Sequence, residues 1–315
     1  KVDVVYPFLL EVLEDYKNKI ILKSELIEIM KLAESYVFRR AVCGIPPNSL
    51  NKTFANLTKE IDKDDYITSL KASFVNKKTY KRFPNDDEFQ DMFQVRNVYN
   101  FKSRKFLFRK LENFERKERV NTEEYTLEHI MPQNASVPQV WRDDLGENWR
   151  EVHETYLHKV GNLTWTGYNP ELSDKSFKEK QNMEGGFKNS PILLNDSLRT
   201  LETWNESKIK KRSKLLADKA LKIWKHPNLS QEILSKYHPI KEEDDDEFES
   251  SSLAAKLAWA TRRYLNPEKW GEPTSEDLKL LSQKNTRLGK SSEIDTIVCA
   301  CSNPEDIEQV FFKEQ

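Results

Sequence analysis

The sequence predicts a mainly α-helical protein, in which a helical scaffold carries a small ββα unit made of a hairpin followed by a helix. Three observations lead to that class. Apolar residues recur at three- and four-residue steps through most of the first 120 positions, the stripe of amphipathic helices. Glycines number only eight in 315 residues while aromatics reach 11%, a balance of folded chains rather than disordered ones. Residues 125–180 then depart from the helical period, with short runs stopped by Pro132 and by turns at Gly161 and Gly167, and this stretch holds three of the five histidines.

Bulk properties exclude more than they assign. The length suits two or three domains, each with its own core. Acids and bases nearly cancel, 52 against 51, so a polyanionic partner has to be argued from local clusters. No apolar run approaches the ~20 residues of a membrane helix, and no secretory signal opens the chain. The three cysteines, Cys43, Cys299 and Cys301, suit a reducing cytoplasm and form no disulfide framework or zinc spacing. A start without Met and an end inside a helix-like stretch read as a fragment of something longer.

Residues 1–120 are expected to form a helical linker or scaffold. Apolar steps from Pro7 to Tyr16 mark one helix, and Ser24 followed by Glu25 to Arg40 marks a second, ended by Gly44 and Pro46-Pro47. Two short helices are expected between Asn51 and Leu70, with Asp62 to Asp65 as a loop or cap, then another from Asp86 to Tyr99. A basic helix over Phe101 to Val120 carries eight bases, Arg109 among them, against three acids. Residues 121–240 form the central domain and end in a second basic cluster, Lys208 to Lys225, where Lys210, Lys211 and Arg212 belong to eight bases against Asp218 alone. Two basic helices bracketing one candidate site point to a phosphate backbone. Residues 241–252 are an acidic linker, and residues 253–315 a small α/β C-terminal extension of unassigned role. Gly289-Lys290-Ser291 is no nucleotide loop, because Lys284 stands where its first glycine belongs.

The central stretch has the groups that phosphodiester hydrolysis requires. A water must lose a proton, and a cation must meet the charge that grows on the phosphate. His129 is the expected general base. Mg²⁺ takes oxygen ligands and keeps several waters, so Glu128 and Asn169 suffice to hold it, with Mn²⁺ able to substitute. Strand alternation puts Glu128 and His129 on opposite faces unless the strand ends there, which Pro132 favours. Asn162, after Gly161, reads mainly as a turn residue but stands with His129 among the catalytic candidates, as does His158, a group that orients substrate or metal. His153 reads as a surface or packing residue. Trp141, Trp149 and Trp165 read as core. Ser173-Asp174 are expected to cap a helix whose Lys175 and Lys180 hold phosphate oxygens.

Glu128-His129-Ile130-Met131-Pro132-Gln133, with Gly161-Asn162-Leu163-Thr164 and Asn169, Lys175, Phe177 and Lys180, resembles the C-terminal nuclease domain of GmrSD-type, modification-dependent (type IV) restriction enzymes. That domain is of the HNH, or His-Me finger, superfamily. The resemblance is specific over 125–180 and loose over 1–235. It implies His129 as general base, Glu128 as the acidic residue before it, Asn169 as metal ligand and Asn162 in the Gly-Asn-Leu turn. It also implies double-stranded DNA as substrate, defence against phage, and a nucleotide-hydrolysing N-terminal domain whose Asp-Gly-Gln-Gln-Arg signature this chain lacks. Two other readings stand beside it: a non-cleaving nucleic-acid-binding or assembly module with a degenerate site, and a nuclease acting on RNA. Oligomeric state is not legible from the sequence.

Overall fold

The computed structural model describes residues 3–237. The acidic linker and the C-terminal extension expected at 241–252 and 253–315 lie outside the described residues. Within them the chain is mostly helical, as the periodicity predicts. Its helices are α1 (Tyr6–Lys17), α2 (Lys23–Val42), α3 (Asn48–Leu57), α4 (Tyr66–Asn76), α5 (Asp86–Val95) and α6 (Arg104–Asn113). Strand β1 (Thr126–His129), α7 (Gln139–Leu145), α8 (Trp149–Tyr156), β2 (Leu163–Thr166), α9 (Asn169–Leu172), α10 (Phe177–Asn182), α11 (Glu206–Ile223) and α12 (Gln231–Lys236) follow. Among the described residues no helix is long and apolar enough to cross a membrane.

Two compact units divide between residues 89 and 90 and between 223 and 224. The first comprises residues 3–89 with 224–237. Its core gathers Phe8, Val12, Ile29, Tyr36, Phe54, Leu70, Phe74 and Phe83. Tyr36 stands at the centre, its ring 4.6 Å from Phe74 and 5.4 Å from Phe83. Two adjacent arginines on α2 are fully buried and serve as pins. Arg39 donates to the carbonyls of Trp224 at 2.6 Å and Pro84 at 3.1 Å, and to Asp86 at 2.6 Å. Arg40 donates to the Tyr80 carbonyl at 2.7 Å and to Ser49 at 2.5 Å. Asp62 accepts from the Asp64 N–H at 3.0 Å, the cap expected at that acidic run.

Residues 90–223 form the second unit, so the helical residues 90–120 fold with the hairpin rather than with the scaffold before them. The basic helix expected over 101–120 is shorter than its charge pattern: α6 ends at Asn113, and Glu115 takes a positive φ of 61°. Its Glu112 is buried and accepts the N–H groups of Leu193 and Leu194 at 2.9 and 3.0 Å. Asn113 similarly takes the Val120 N–H at 2.9 Å. The Asn113 contact closes the loop that follows α6, while Glu112 ties the helix to residues 193–194.

The hairpin pairs β1 with β2 antiparallel, with Thr126 opposite Thr166 and His129 opposite Leu163. A two-stranded sheet alone is marginal, because its outer edges leave carbonyls without partners. Here side chains take the place of the missing strands. On the β1 edge, Asn169 Nδ2 donates to the Leu127 carbonyl at 2.9 Å and Lys180 Nζ to the His129 carbonyl at 2.8 Å. On the β2 edge, Arg212 Nη1 donates to the Leu163 carbonyl at 2.8 Å and Asn195 Nδ2 to the Trp165 carbonyl at 3.1 Å. Gly161 is required where α11 crosses the turn before β2, since a Cβ there would collide with the Ser213 hydroxyl and the Ile209 carbonyl. The second core lies beneath, with Trp141, Phe177, Phe187 and Trp204 fully buried.

Candidate active site

β1 ends at His129, and the chain then turns through Ile130 to Pro132. The turn is held by Asn162, which is fully buried. Its Oδ1 accepts the Met131 N–H at 2.8 Å and the Trp204 indole N–H at 3.1 Å. Its Nδ2 donates to the Met131 and Leu157 carbonyls at 3.1 and 3.0 Å. The turn role of Asn162 prevails over its catalytic candidacy: both ends of the amide are consumed in shaping the loop that follows His129.

His129 is buried, and its Nε2 lies 3.1 Å from Nδ1 of His158. Burial, with the charges of His158 and Lys180 beside it, pushes its pKa down to about 3. Burial also lowers His158, with Lys159 next in effect. Both rings are therefore neutral at pH 7. Tyr99 covers the pair, 4.5 Å from the His129 ring and stacked at 5.0 Å and 11° on His158. Nothing in residues 96–100 marked Tyr99 as a site residue, because its partners lie some 30 and 60 positions away.

Glu128 points to the other face of the hairpin, as alternation demands. Lys180, fully buried, sets its ammonium 2.6 Å from Glu128 Oε1. Burial raises Glu128 and lowers Lys180, and in each case the partner's charge opposes the shift. Asp174 adds its charge to the same pair and raises both groups. Asn169 comes to the same side as Glu128: its Nδ2 also reaches Thr126 Oγ1 at 3.2 Å, and Thr126 is two residues before Glu128 on β1. With Nδ2 bound to the strand, Oδ1 is the amide atom suited to a cation.

Residues 83–219 match the family model of GmrSD restriction endonucleases, C-terminal domain. The match encloses the hairpin, the His129–His158 and Glu128–Lys180 pairs and every residue on which the resemblance was drawn. It supports the GmrSD-type reading of this stretch, and with it a restriction-endonuclease domain. No curated protein and no solved structure matches the chain.

The matched stretch distributes its expected DNA contacts unevenly. Arg212 is buried, donates to four carbonyls between Val160 and Leu194, and is pushed by burial down to about 9. It is a structural pin, not a surface for phosphate. Lys180 is likewise withdrawn from any phosphate by Glu128. Lys175 is exposed and donates to the Glu171 carbonyl at 2.5 Å. Lys210 is exposed and paired with Glu206 at 2.7 Å, and Lys211 is exposed beside it. Arg109, half-buried, lies 5.8 Å from the Phe106 ring. His153 is buried against the Pro132 carbonyl at 2.9 Å, the packing rather than the surface role of the two expected. The cap of α10 is Ser176 with Glu179, a capping box that starts two residues past the expected Ser173-Asp174.

Among the described residues no group of three or more His, Cys, Asp or Glu side chains could hold a metal ion. A hard ion that retains its waters does not need such a group. Two oxygen donors, the Glu128 carboxylate and the Asn169 amide oxygen, stand on one side of the hairpin. Lys180 already neutralises one oxygen of Glu128, so this donor set fits a weakly held, water-rich ion better than a tightly caged one.

Proposed function

We propose that the chain is a divalent-metal-dependent DNA endonuclease of HNH type, the nuclease half of a modification-dependent restriction protein that acts against phage. The observation that carries this reading is the buried, neutral His129 at the end of β1, hydrogen-bonded to His158, inside the stretch that matches a restriction-endonuclease domain. With the shared proton on Nε2, His129 keeps its lone pair on Nδ1, the atom that takes a proton from the attacking water. His158 holds the imidazole in that tautomer. Glu128 and the Asn169 amide oxygen are the residues that would hold Mg²⁺ or Mn²⁺. Such an ion would supply charge stabilisation for the phosphate and the leaving oxygen. Exposed Lys175, Lys210 and Lys211 would meet the double-stranded DNA backbone. A nucleotide-hydrolysing partner domain would license the cut, and a cytoplasmic setting follows from the substrate.

Two observations favour the second reading, a non-cleaving nucleic-acid module: the Lys180 ammonium lies on the carboxylate that the metal would use, and alternation along β1 turns that carboxylate to the face opposite His129. Supercoiled-plasmid conversion in Mg²⁺ or Mn²⁺ decides between them. Wild type should yield open circle or linear DNA, while His129→Ala should yield neither and still bind. Asn169→Ala should lose metal-dependent cutting, with its melting temperature measured alongside because Asn169 also caps the β1 edge. Cutting by His129→Ala equal to wild type would end the endonuclease assignment of this site.

A further inference from the structure

Tyr99 lies outside every motif that points to the site, yet it touches both histidines. Its segment is fastened to His158 twice. The backbone N–H groups of Val98 and Tyr99 donate to the His158 carbonyl at 2.8 and 3.4 Å, and the Tyr99 ring stacks on the His158 imidazole. Asn97 accepts the Asn100 N–H at 3.0 Å and closes the turn that presents the ring. Arg104 sets its guanidinium 5.7 Å from the Tyr99 centroid. The rings of His129 and His158 meet at 63°, so the short nitrogen–nitrogen contact depends on the rotation of each ring. A stacked aromatic plane is what removes that freedom from His158.

We propose that Tyr99 is the positioning residue of the reaction, its ring fixing His158 and through it the orientation of His129; the proposal rests on the endonuclease reading of the same site. The function belongs to the ring and not to the hydroxyl. The ring lies 4.5 Å from the His129 ring and stacks on His158, so its removal frees both imidazoles to rotate away from their 3.1 Å contact, the alignment that proton transfer from water requires. The benefit is therefore realised during the proton transfer and not in DNA binding, which places it in kcat.

The test compares Tyr99→Phe and Tyr99→Leu in the full chain, with His129→Ala run in parallel. Tyr99→Leu should lower kcat about 10-fold with KM unchanged, and Tyr99→Phe should stay within about 2-fold of wild type. Wild-type kcat in the Leu variant, an equal loss in the Phe variant, or a loss confined to KM would each overturn the proposal. Cutting that survives His129→Ala removes the endonuclease reading instead. Abolished cutting there with an unaffected Tyr99→Leu removes only the role of Tyr99. A readout independent of activity is the ¹⁵N coupling across the His129–His158 hydrogen bond, expected in wild type and Tyr99→Phe and lost in Tyr99→Leu. Its persistence in Tyr99→Leu overturns the proposal even where no cutting is observed. If Tyr99→Leu does not fold, Tyr99→Met carries the same comparison.

Discussion

Both compact units bury charge, but they use it differently. In the scaffold unit, Arg39 and Arg40 are turned toward backbone carbonyls, a serine and one aspartate, and the surrounding core is a plain packing of Tyr36, Phe54, Phe74 and Phe83. In the hairpin unit, Arg212 does the same for the turn before β2, but the charge does not stop there. Glu128, Lys180, His129 and His158 are drawn onto a strand of four residues, each shifted toward its neutral form by burial. Burial lowers Arg39, Arg40 and Arg212 as well. What differs is the partner: chiefly backbone carbonyls for the arginines, and a second titratable side chain for Glu128 with Lys180 and for His129 with His158.

Substitutions can break that comparison. The largest effect should come from His129→Ala, which should cost about 10²–10⁴ in cleavage rate while leaving the fold intact, as measured by plasmid conversion and circular dichroism. Next in size are the arginine pins. Arg212→Met and Arg40→Met should each destabilise by about 3–5 kcal/mol in chemical denaturation, the scale of breaking a buried charge network. If Arg212→Met were instead fully stable and weak only in DNA binding, its assignment as a pin would be wrong.

The Glu128–Lys180 pair sharpens the contrast further. Glu128→Gln leaves a buried ammonium facing an amide, and Lys180→Met leaves a buried carboxylate alone. Each single change should cost more than the double change, by about 1–3 kcal/mol in a double-mutant cycle. A purely additive cycle would show that the two groups do not form a coupled pair.

Acid should act more gently. The unfolded chain protonates His129 near the ordinary histidine value of about 6.5, whereas the folded chain resists until about pH 3. Between these values the unfolded state binds the extra proton. The contribution is thus complete above pH 6.5 and declines as pH falls toward 3, by at most about 1.4 kcal/mol per unit. Denaturation curves at pH 7.5, 5.5 and 4.5 should show a steeper acid loss in wild type than in His129→Gln. Identical slopes would mean that His129 is not held neutral by burial. Smallest of all, Lys211→Ala should change stability by less than about 0.5 kcal/mol and weaken DNA binding slightly, with a shallower salt dependence.

The residues themselves determined the helical class, the short strand stopped before Pro132, the Gly-Asn turn and His129 as base candidate. Each of these depends on neighbours within a few positions: a 3.6-residue period, a proline that cannot donate, a turn that needs Gly161. Tertiary structure decided the rest. The charge pattern of 101–120 could not reveal that Glu112 is buried to cap residues 193–194, at least 81 positions away. Nor could the basic run at 208–225 show that Arg212 turns inward while Lys211 stays in solvent, since adjacent helical residues differ by about 100° in direction. Lys180 moved from phosphate ligand to partner of Glu128, 52 positions apart, for the same reason. Side-chain type is local information, but whether a charge meets water, a carbonyl or another charge depends on what the fold brings opposite it.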